Sequence, residues 1–257
     1  MSDIVSRLNL VSTFIIPNWP APANVRAIQT TRIGGVSKGH FSSLNLAAHV
    51  NDDPIAVLHN RQLLRPYLPS EPVWINQVHG TNAINAVMVG CEVEADAVYA
   101  NKANTVCVTM TADCLPVLLC DEAGTIVAAV HAGWKGLLDG VIENVVKSMQ
   151  LTMPNLAINS LMAWLGPAIG PKAFEVGTAV PEAFIAVDIN AALAFESIGK
   201  DKWLGNLYQL ARQRLNKIGV IKIYGGDLCT YTDEMRFFSY RRDSVTGRMA
   251  SVIWFTS

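Results

Sequence analysis

Hydrophobic residues recur along this chain in two rhythms, and each predicts an element. Strands are predicted where apolar positions alternate with polar ones or run unbroken for a few residues; helices, where they return about every 3.6 residues. Val25–Thr31 alternates behind an irregular segment marked by Pro17, Pro20 and Pro22. Val73–Val78, Ala97–Ala100 and Thr105–Met110 read as further strands, the last apolar enough to be central. Leu115–Cys120 and Thr125–Val130 predict a hairpin joined by Asp121-Glu122-Ala123-Gly124, and Leu161–Leu165 and Ile221–Tyr224 add two more strands. Asp52-Asp53-Pro54 opens a helix running to about Leu64, because Asp is a good N-cap and Pro suits the first turn. Apolar residues at 137, 138, 141, 145 and 149 predict one amphipathic helix from Leu137 to Met149, and another is predicted over Leu207–Lys217. Between Arg32 and Asn51 lies a long polar, glycine-containing loop. No repeat or Ser/Gly linker divides the chain. The expectation is one domain over residues 1–257, α/β with mixed α+β character, its mixed sheets flanked by helices.

Composition narrows the class. With 51% hydrophobic and 16% charged residues the chain is built to bury a substantial core, which excludes disorder. A net charge of −1 without a basic stripe argues against nucleic acid or an anionic membrane as partner. No uninterrupted apolar stretch of about 18 residues is present, so no ordinary membrane span is expected. The start, Met-Ser-Asp-Ile-Val, lacks the basic and apolar regions of a signal peptide. Five cysteines (91, 107, 114, 120, 229) are an odd number in a chain large enough to need no staples. Most are expected to be reduced, buried thiols in a cytoplasmic protein.

The chemistry concentrates at His79 in Asn76-Gln77-Val78-His79-Gly80, Cys114 in Ala112-Asp113-Cys114-Leu115-Pro116, and His131 in His131-Ala132-Gly133-Trp134-Lys135-Gly136. Two imidazoles and one thiolate form a ligand set for a zinc ion whose fourth position stays open, as in a catalytic site. The predicted hairpin would return His131 to Cys114; His79 needs the tertiary fold to join them. Taken singly, each residue is as readily a packed side chain as a ligand, and no CxxC or HExxH spacing ties them together. Arg32 beside Gly34 and Gly35 suits an anion such as phosphate, Lys135 adds a cation before a helix, and Arg241 is a further anchor. For each, a turn or a surface ion pair is the structural alternative. Gly166-Pro167-Ala168-Ile169-Gly170-Pro171 reads as a rigid structural loop.

These motifs, together with Arg-x-Gly-Gly-Val-Ser (32–37), Ser43-Leu44-Asn45-Leu46, Phe174-Glu175-Val176-Gly177 and Phe238-Ser239-Tyr240-Arg241-Arg242, run in order through nearly the whole chain. The chain thereby resembles the YfiH, or laccase-domain, family. The resemblance implies one α/β domain with a metal held by two His and one Cys, which carry over to His79, Cys114 and His131. Beside that metal, Cys114 and Asp113 are the expected catalytic residues, Asp113 as an acid/base or supporting group, and Arg32, Asn45, Lys135 and Arg241 are the residues expected to bind phosphate or substrate. Lys135 stands where many relatives have Arg, which keeps the charge but not bidentate anion binding.

Three activities are implied by the resemblance: copper-dependent polyphenol oxidation (laccase), zinc-dependent purine nucleoside phosphorolysis of adenosine, inosine and methylthioadenosine with adenosine deamination, and removal of a wrongly incorporated amino acid from a peptidoglycan precursor. A multicopper laccase needs a mononuclear copper and a trinuclear cluster, and five His, of which His40, His49 and His59 fall in the N-terminal third, are too few. Phosphorolysis and deamination need one activating metal and an anion site. The expected enzyme is therefore a zinc-dependent purine nucleoside phosphorylase with adenosine deaminase activity, Zn2+ being favoured over Cu2+, and nucleoside and phosphate its partners. An amide hydrolase with Cys114 as nucleophile and His131 as base is the main competitor; a non-catalytic protein in which zinc only holds loops together is the other.

Overall fold

The computed structural model describes residues 13–88 and 93–257; the expectation for Cys91 lies outside the described residues. The elements run β1 (Phe14–Ile15), β2 (Val25–Thr30), α1 (Pro54–Leu64), β3 (Ala83–Asn85), β4 (Ala97–Ala100), β5 (Cys107–Thr111), β6 (Leu115–Asp121), β7 (Val127–Ala132), α2 (Trp134–Asp139), α3 (Val141–Thr152), β8 (Leu161–Leu165) and β9 (Glu175–Gly177). They continue with α4 (Ala179–Val187), β10 (Phe195–Gly199), β11 (Lys202–Gly205), α5 (Leu207–Lys217), β12 (Lys222–Gly225), α6 (Tyr240–Asp243) and β13 (Met249–Phe255).

A six-stranded mixed sheet has the order β12-β8-β6-β7-β4-β3, and a four-stranded sheet the order β1-β2-β13-β5. The fold is thus α/β with mixed α+β character, and a small β10-β11-β9 sheet stands apart. In β6, Leu115, Val117 and Leu119 pack toward α3 and α5, while Leu118 and Cys120 face the second sheet. Residues that alternate between two buried layers explain why the strand reads as an unbroken apolar run. Cys107 on β5 and Ile253 and Phe255 on β13 meet that second face. The outer side of the four-stranded sheet is covered by Leu44, Leu46 and Leu64. Cys107, Cys114, Cys120 and Cys229 are free thiols; Cys107 and Cys120 are buried.

Two expectations change. The single helix over Leu137–Met149 is two helices, because Gly140 adopts φ +97° and ends α2 before α3 begins. Glycine takes that left-handed conformation without a Cβ clash. Val73–Val78 forms only isolated bridges, Val73 with Cys107 and Asn76 with Glu94. Within it, the Gln77 side chain supplies pairing that a strand backbone would otherwise make. Its Nε2 donates to the Met110 carbonyl and its Oε1 accepts from the Met110 amide, both at 2.8 Å.

Candidate metal centre

The β6–β7 hairpin sets the first half of the site. Its antiparallel register pairs Leu115 with Ala132 and Pro116 with His131, so Cys114, one residue before β6, stands beside the end of β7. His131 follows Val127 and Ala129 on the same face of its strand and is buried. His79 arrives from the loop before β3, with φ +62°. A non-glycine residue there costs about 1–2 kcal/mol, so something must hold it in place.

Asp96 does so. Its Oδ1 accepts from the His79 amide at 3.0 Å, and its Oδ2 from the Gly80 and Val78 amides at 2.6 and 3.3 Å. The same carboxylate takes a 2.7 Å hydrogen bond from His131 Nδ1, which leaves His131 Nε2 for a ligand. One buried acid therefore fixes two of the three candidate ligands, the arrangement that orients metal-binding imidazoles. Burial alone would push the Asp96 carboxyl up, but His131 and the Gly80 and His79 amides outweigh it and hold it below the usual range.

His79 Nε2 lies 3.7 Å from Cys114 Sγ, and the two imidazoles meet edge-on with centroids 4.7 Å apart. One donor atom from each of His79, Cys114 and His131 falls within 4.8 Å of the others. Tetrahedral zinc with S and N ligands places donors about 3.5 Å apart, so the donor set fits a single borderline-soft ion. Burial favours the neutral Cys114 thiol, but the His131 and His79 imidazoles more than offset this and bring it down to about 6. Burial likewise opposes charge on His131, yet the Cys114 sulfur and Asp96 raise it to about 9. Each group thus favours the charged form of the other, thiolate beside imidazolium, and a metal would take the place of the proton.

Two glycines clear the space. A Cβ on Gly133 would lie 3.0 Å from both Cys114 Sγ and His79 Cδ2, and one on Gly136 would lie 2.8 Å from the Gly80 carbonyl. His79 and Cys114 open into a cavity of about 400 Å³. Trp134, Phe174 and Tyr240 give it aromatic walls, and Lys135 and Arg241 give it positive charge.

The other residues singled out in the sequence separate into two groups. Lys135, Arg241 and Asp113 line the cavity. Both Asp113 oxygens are engaged, Oδ1 by Thr230 Oγ1 at 2.6 Å and Oδ2 by Ser239 Oγ at 3.0 Å and the Arg241 amide at 2.6 Å. Arg241 Nη1 donates to the Glu175 carbonyl at 2.9 Å. Arg32 and Asn45 lie elsewhere. Arg32 packs 4.7 Å over the Phe238 ring and donates to the Ser42 and Glu234 carbonyls in a separate open groove. Asn45 is fully buried, donating to the Ala47 carbonyl and Asp52 and accepting from the Ala47 and Arg248 amides. The Gly166–Pro171 loop is tied down by the Tyr208 hydroxyl, which donates to the Gly166 carbonyl and accepts from the Ala168 amide; its Ile169 also lines the cavity. Sequence reasoning missed Asp96. Its signal was a lone acid within the apolar run Ala95-Asp96-Ala97-Val98, a place where a carboxylate needs partners.

A family model described as multi-copper polyphenol oxidoreductase laccase matches residues 26–256. The chain belongs to this YfiH laccase-domain family. Within the family, Purine nucleoside phosphorylase YfiH of Escherichia coli (strain K12) is 54% identical over 249 residues, spanning 95% of this chain and 99% of the relative. A Purine nucleoside phosphorylase of Haemophilus influenzae is 53% identical over 245 residues, spanning 94% and 98%. The crystal structure of a Neisseria meningitidis protein superposes with TM-score 0.90 at 48% identity, covering 95% of this chain and all of that one. YlmD of Geobacillus stearothermophilus gives TM-score 0.86 at 30% identity over 93% and 94% of the two chains. Relatives of the YfiH family thus match both the sequence and the fold of this chain almost end to end.

Proposed function

We propose that this protein is a zinc-dependent purine nucleoside phosphorylase acting on adenosine, inosine and methylthioadenosine, with adenosine deaminase activity. The observation that carries the reading is the three-donor cluster of His79, Cys114 and His131, of which His79 and Cys114 line an aromatic, cation-bearing cavity. The names of the Escherichia coli and Haemophilus influenzae relatives support the phosphorylase part of this reading.

Phosphorolysis forms a bond from a phosphate oxygen to the sugar C1′ as the C1′–N9 bond breaks. The bonding pair stays with the purine, which takes up a proton, and the products are the free base and the sugar 1-phosphate, ribose 1-phosphate from adenosine or inosine and its 5-methylthio counterpart from methylthioadenosine. Trp134, Phe174 and Tyr240 supply faces against which a purine stacks. Lys135 and Arg241 offset the charge that phosphate brings. Asp113 acts in this reading as a positioning residue, since both its oxygens already accept hydrogen bonds. His79 Nε2, Cys114 Sγ and His131 Nε2 would hold the zinc, which when bound supplies Lewis acidity and lowers the pKa of water. Deamination needs the same activation of water, which adds oxygen at C6 as ammonia leaves.

Among the described residues, His79–Cys114–His131 is the one cluster of three or more potential ligands. That favours a single ion over a multicopper arrangement, whatever the family's description. The thiolate–imidazolium pair of Cys114 and His131 favours one second reading, an amide hydrolase with Cys114 as nucleophile. Chelation separates the two. The phosphorylase reading predicts that a metal-free protein releases no base from inosine and that zinc restores release. Turnover that survives chelation and dies on thiol alkylation would establish the hydrolase instead.

A further inference from the structure

Two arginines of the segment that follows the cavity residue Tyr240, Arg242 and Arg248, differ in what they do with their donors. Arg242 is spent within the fold: Nη1 donates to the Thr230 and Tyr231 carbonyls, Nη2 to the Phe237 carbonyl and Asp243, and Nε to Asp243. Arg248 is not. Its two side-chain hydrogen bonds both come from Nη1, to the Thr246 and Gly247 carbonyls at 2.9 and 3.0 Å. Among the described residues nothing accepts from its Nε or Nη2, and neither nitrogen is sealed from solvent.

Its position is nevertheless fixed. The Arg248 amide donates to buried Asn45 Oδ1 at 2.9 Å, and the guanidinium carbon lies 5.8 Å from the Tyr240 ring centroid. Tyr240 lines the cavity into which Cys114 opens. Burial lowers the Arg248 pKa, against the opposing pull of the nearby Cys114 and Asp113 charges. The cation is thus held in a partly desolvated place beside the candidate metal centre, with a free two-nitrogen edge.

We infer that Arg248 is a binding residue for the tetrahedral oxyanion co-substrate, inorganic phosphate, which it grips through Nε and Nη2 on the Tyr240 side of the cavity. The inference rests on the phosphorylase reading above. An Nε/Nη2 edge matches two oxygens of a phosphate at once, which Lys135 cannot do. Asn45 then acts on phosphate without touching it, by holding the Arg248 backbone.

The test uses the metal-loaded full chain and its R248M and R248K variants. Metal content and thermal midpoint are measured first, then the KM for phosphate at saturating inosine and the KM for inosine at saturating phosphate. The expected result is a phosphate KM raised roughly ten- to a hundred-fold in R248M, with full metal content and little change in inosine KM. R248K keeps the charge without the fork and is expected to fall between; it also carries the test if R248M does not fold. An unchanged phosphate KM in the folded variants would overturn the inference. If the wild type forms no ribose 1-phosphate, the phosphorylase reading fails, and calorimetric titration of inorganic phosphate into wild type and variants decides the anion site by itself. Binding lost with Arg248 supports it; equal binding, or none to the wild type, overturns it.

Discussion

His131 Nδ1 sits 2.7 Å from Asp96 Oδ1 with both side chains buried, and the same carboxylate accepts the amides of His79 and Gly80. The geometry of the candidate metal centre therefore hangs on a residue that is not itself one of the three donors. Asp96→Asn places an amide NH2 against N–H donors on one side. It is expected to lower stability by about 2–4 kcal/mol and metal affinity by roughly ten- to a hundred-fold. Zinc titration and thermal unfolding of the variant check both; wild-type affinity would show that Asp96 serves the fold alone.

In the metal-free protein the neighbouring His131 and His79 imidazoles are expected to bring the Cys114 thiol down from the ordinary 9.0 to about 6. Its alkylation rate is expected to rise through pH 6 and level off, whereas an ordinary thiol keeps accelerating toward pH 9. Stability responds differently. The lowered Cys114 pKa contributes stability that is full above pH 9.0 and lost as pH falls through about 6. The raised His131 pKa contributes stability that is full below pH 6.5 and lost as pH rises through about 9. The two slopes oppose each other, so these groups leave the metal-free stability nearly flat between pH 6.5 and 9.0. Alkylation kinetics and denaturation midpoints across that window test the pair.

Gly133→Ala puts a methyl 3.0 Å from the Cys114 sulfur and the His79 ring. The side chains must spread, so metal affinity is expected to fall about tenfold for a strain of about 1–2 kcal/mol. Metal content after dialysis, measured beside the thermal midpoint, shows whether the loss is local to the site.

Arg32 lies over Phe238 in its own groove. Arg32→Gln is accordingly expected to cost about 1 kcal/mol of stability through the lost ring contact and carbonyl hydrogen bonds, and to leave the phosphate KM of the metal-loaded protein unchanged. Steady-state kinetics with phosphate varied decide the point.

Local patterns made much of the fold legible. Asp53 caps α1 by accepting from the Ile55 amide, as Asp-Asp-Pro led one to expect, and the hairpin register follows from two apolar runs around a polar turn. Leu161–Leu165 and Leu207–Lys217 match the observed elements residue for residue. What stayed hidden depends on distant partners. β13 pairs with β2 and β5 across most of the chain, and its run Met249–Phe255 carries no turn signal that marks it as central. Gly140 breaks a helix whose apolar period continues straight through it. At the site, the three donors were visible as residue types, but Asp96 and Arg248 gain their roles only from what the fold brings to them. Arg32 and Asn45 show the converse: an arginine beside glycines and an asparagine in a polar loop look like ligand residues until their partners are seen to be the protein's own carbonyls and amides.

The most direct test of the account is the phosphate dependence of inosine cleavage by the zinc-loaded protein. The account predicts that hypoxanthine and ribose 1-phosphate appear in equal amounts, only when phosphate is present, and not at all with Cys114→Ala. Base release that proceeds without phosphate, or that persists at the wild-type rate in Cys114→Ala, would contradict it.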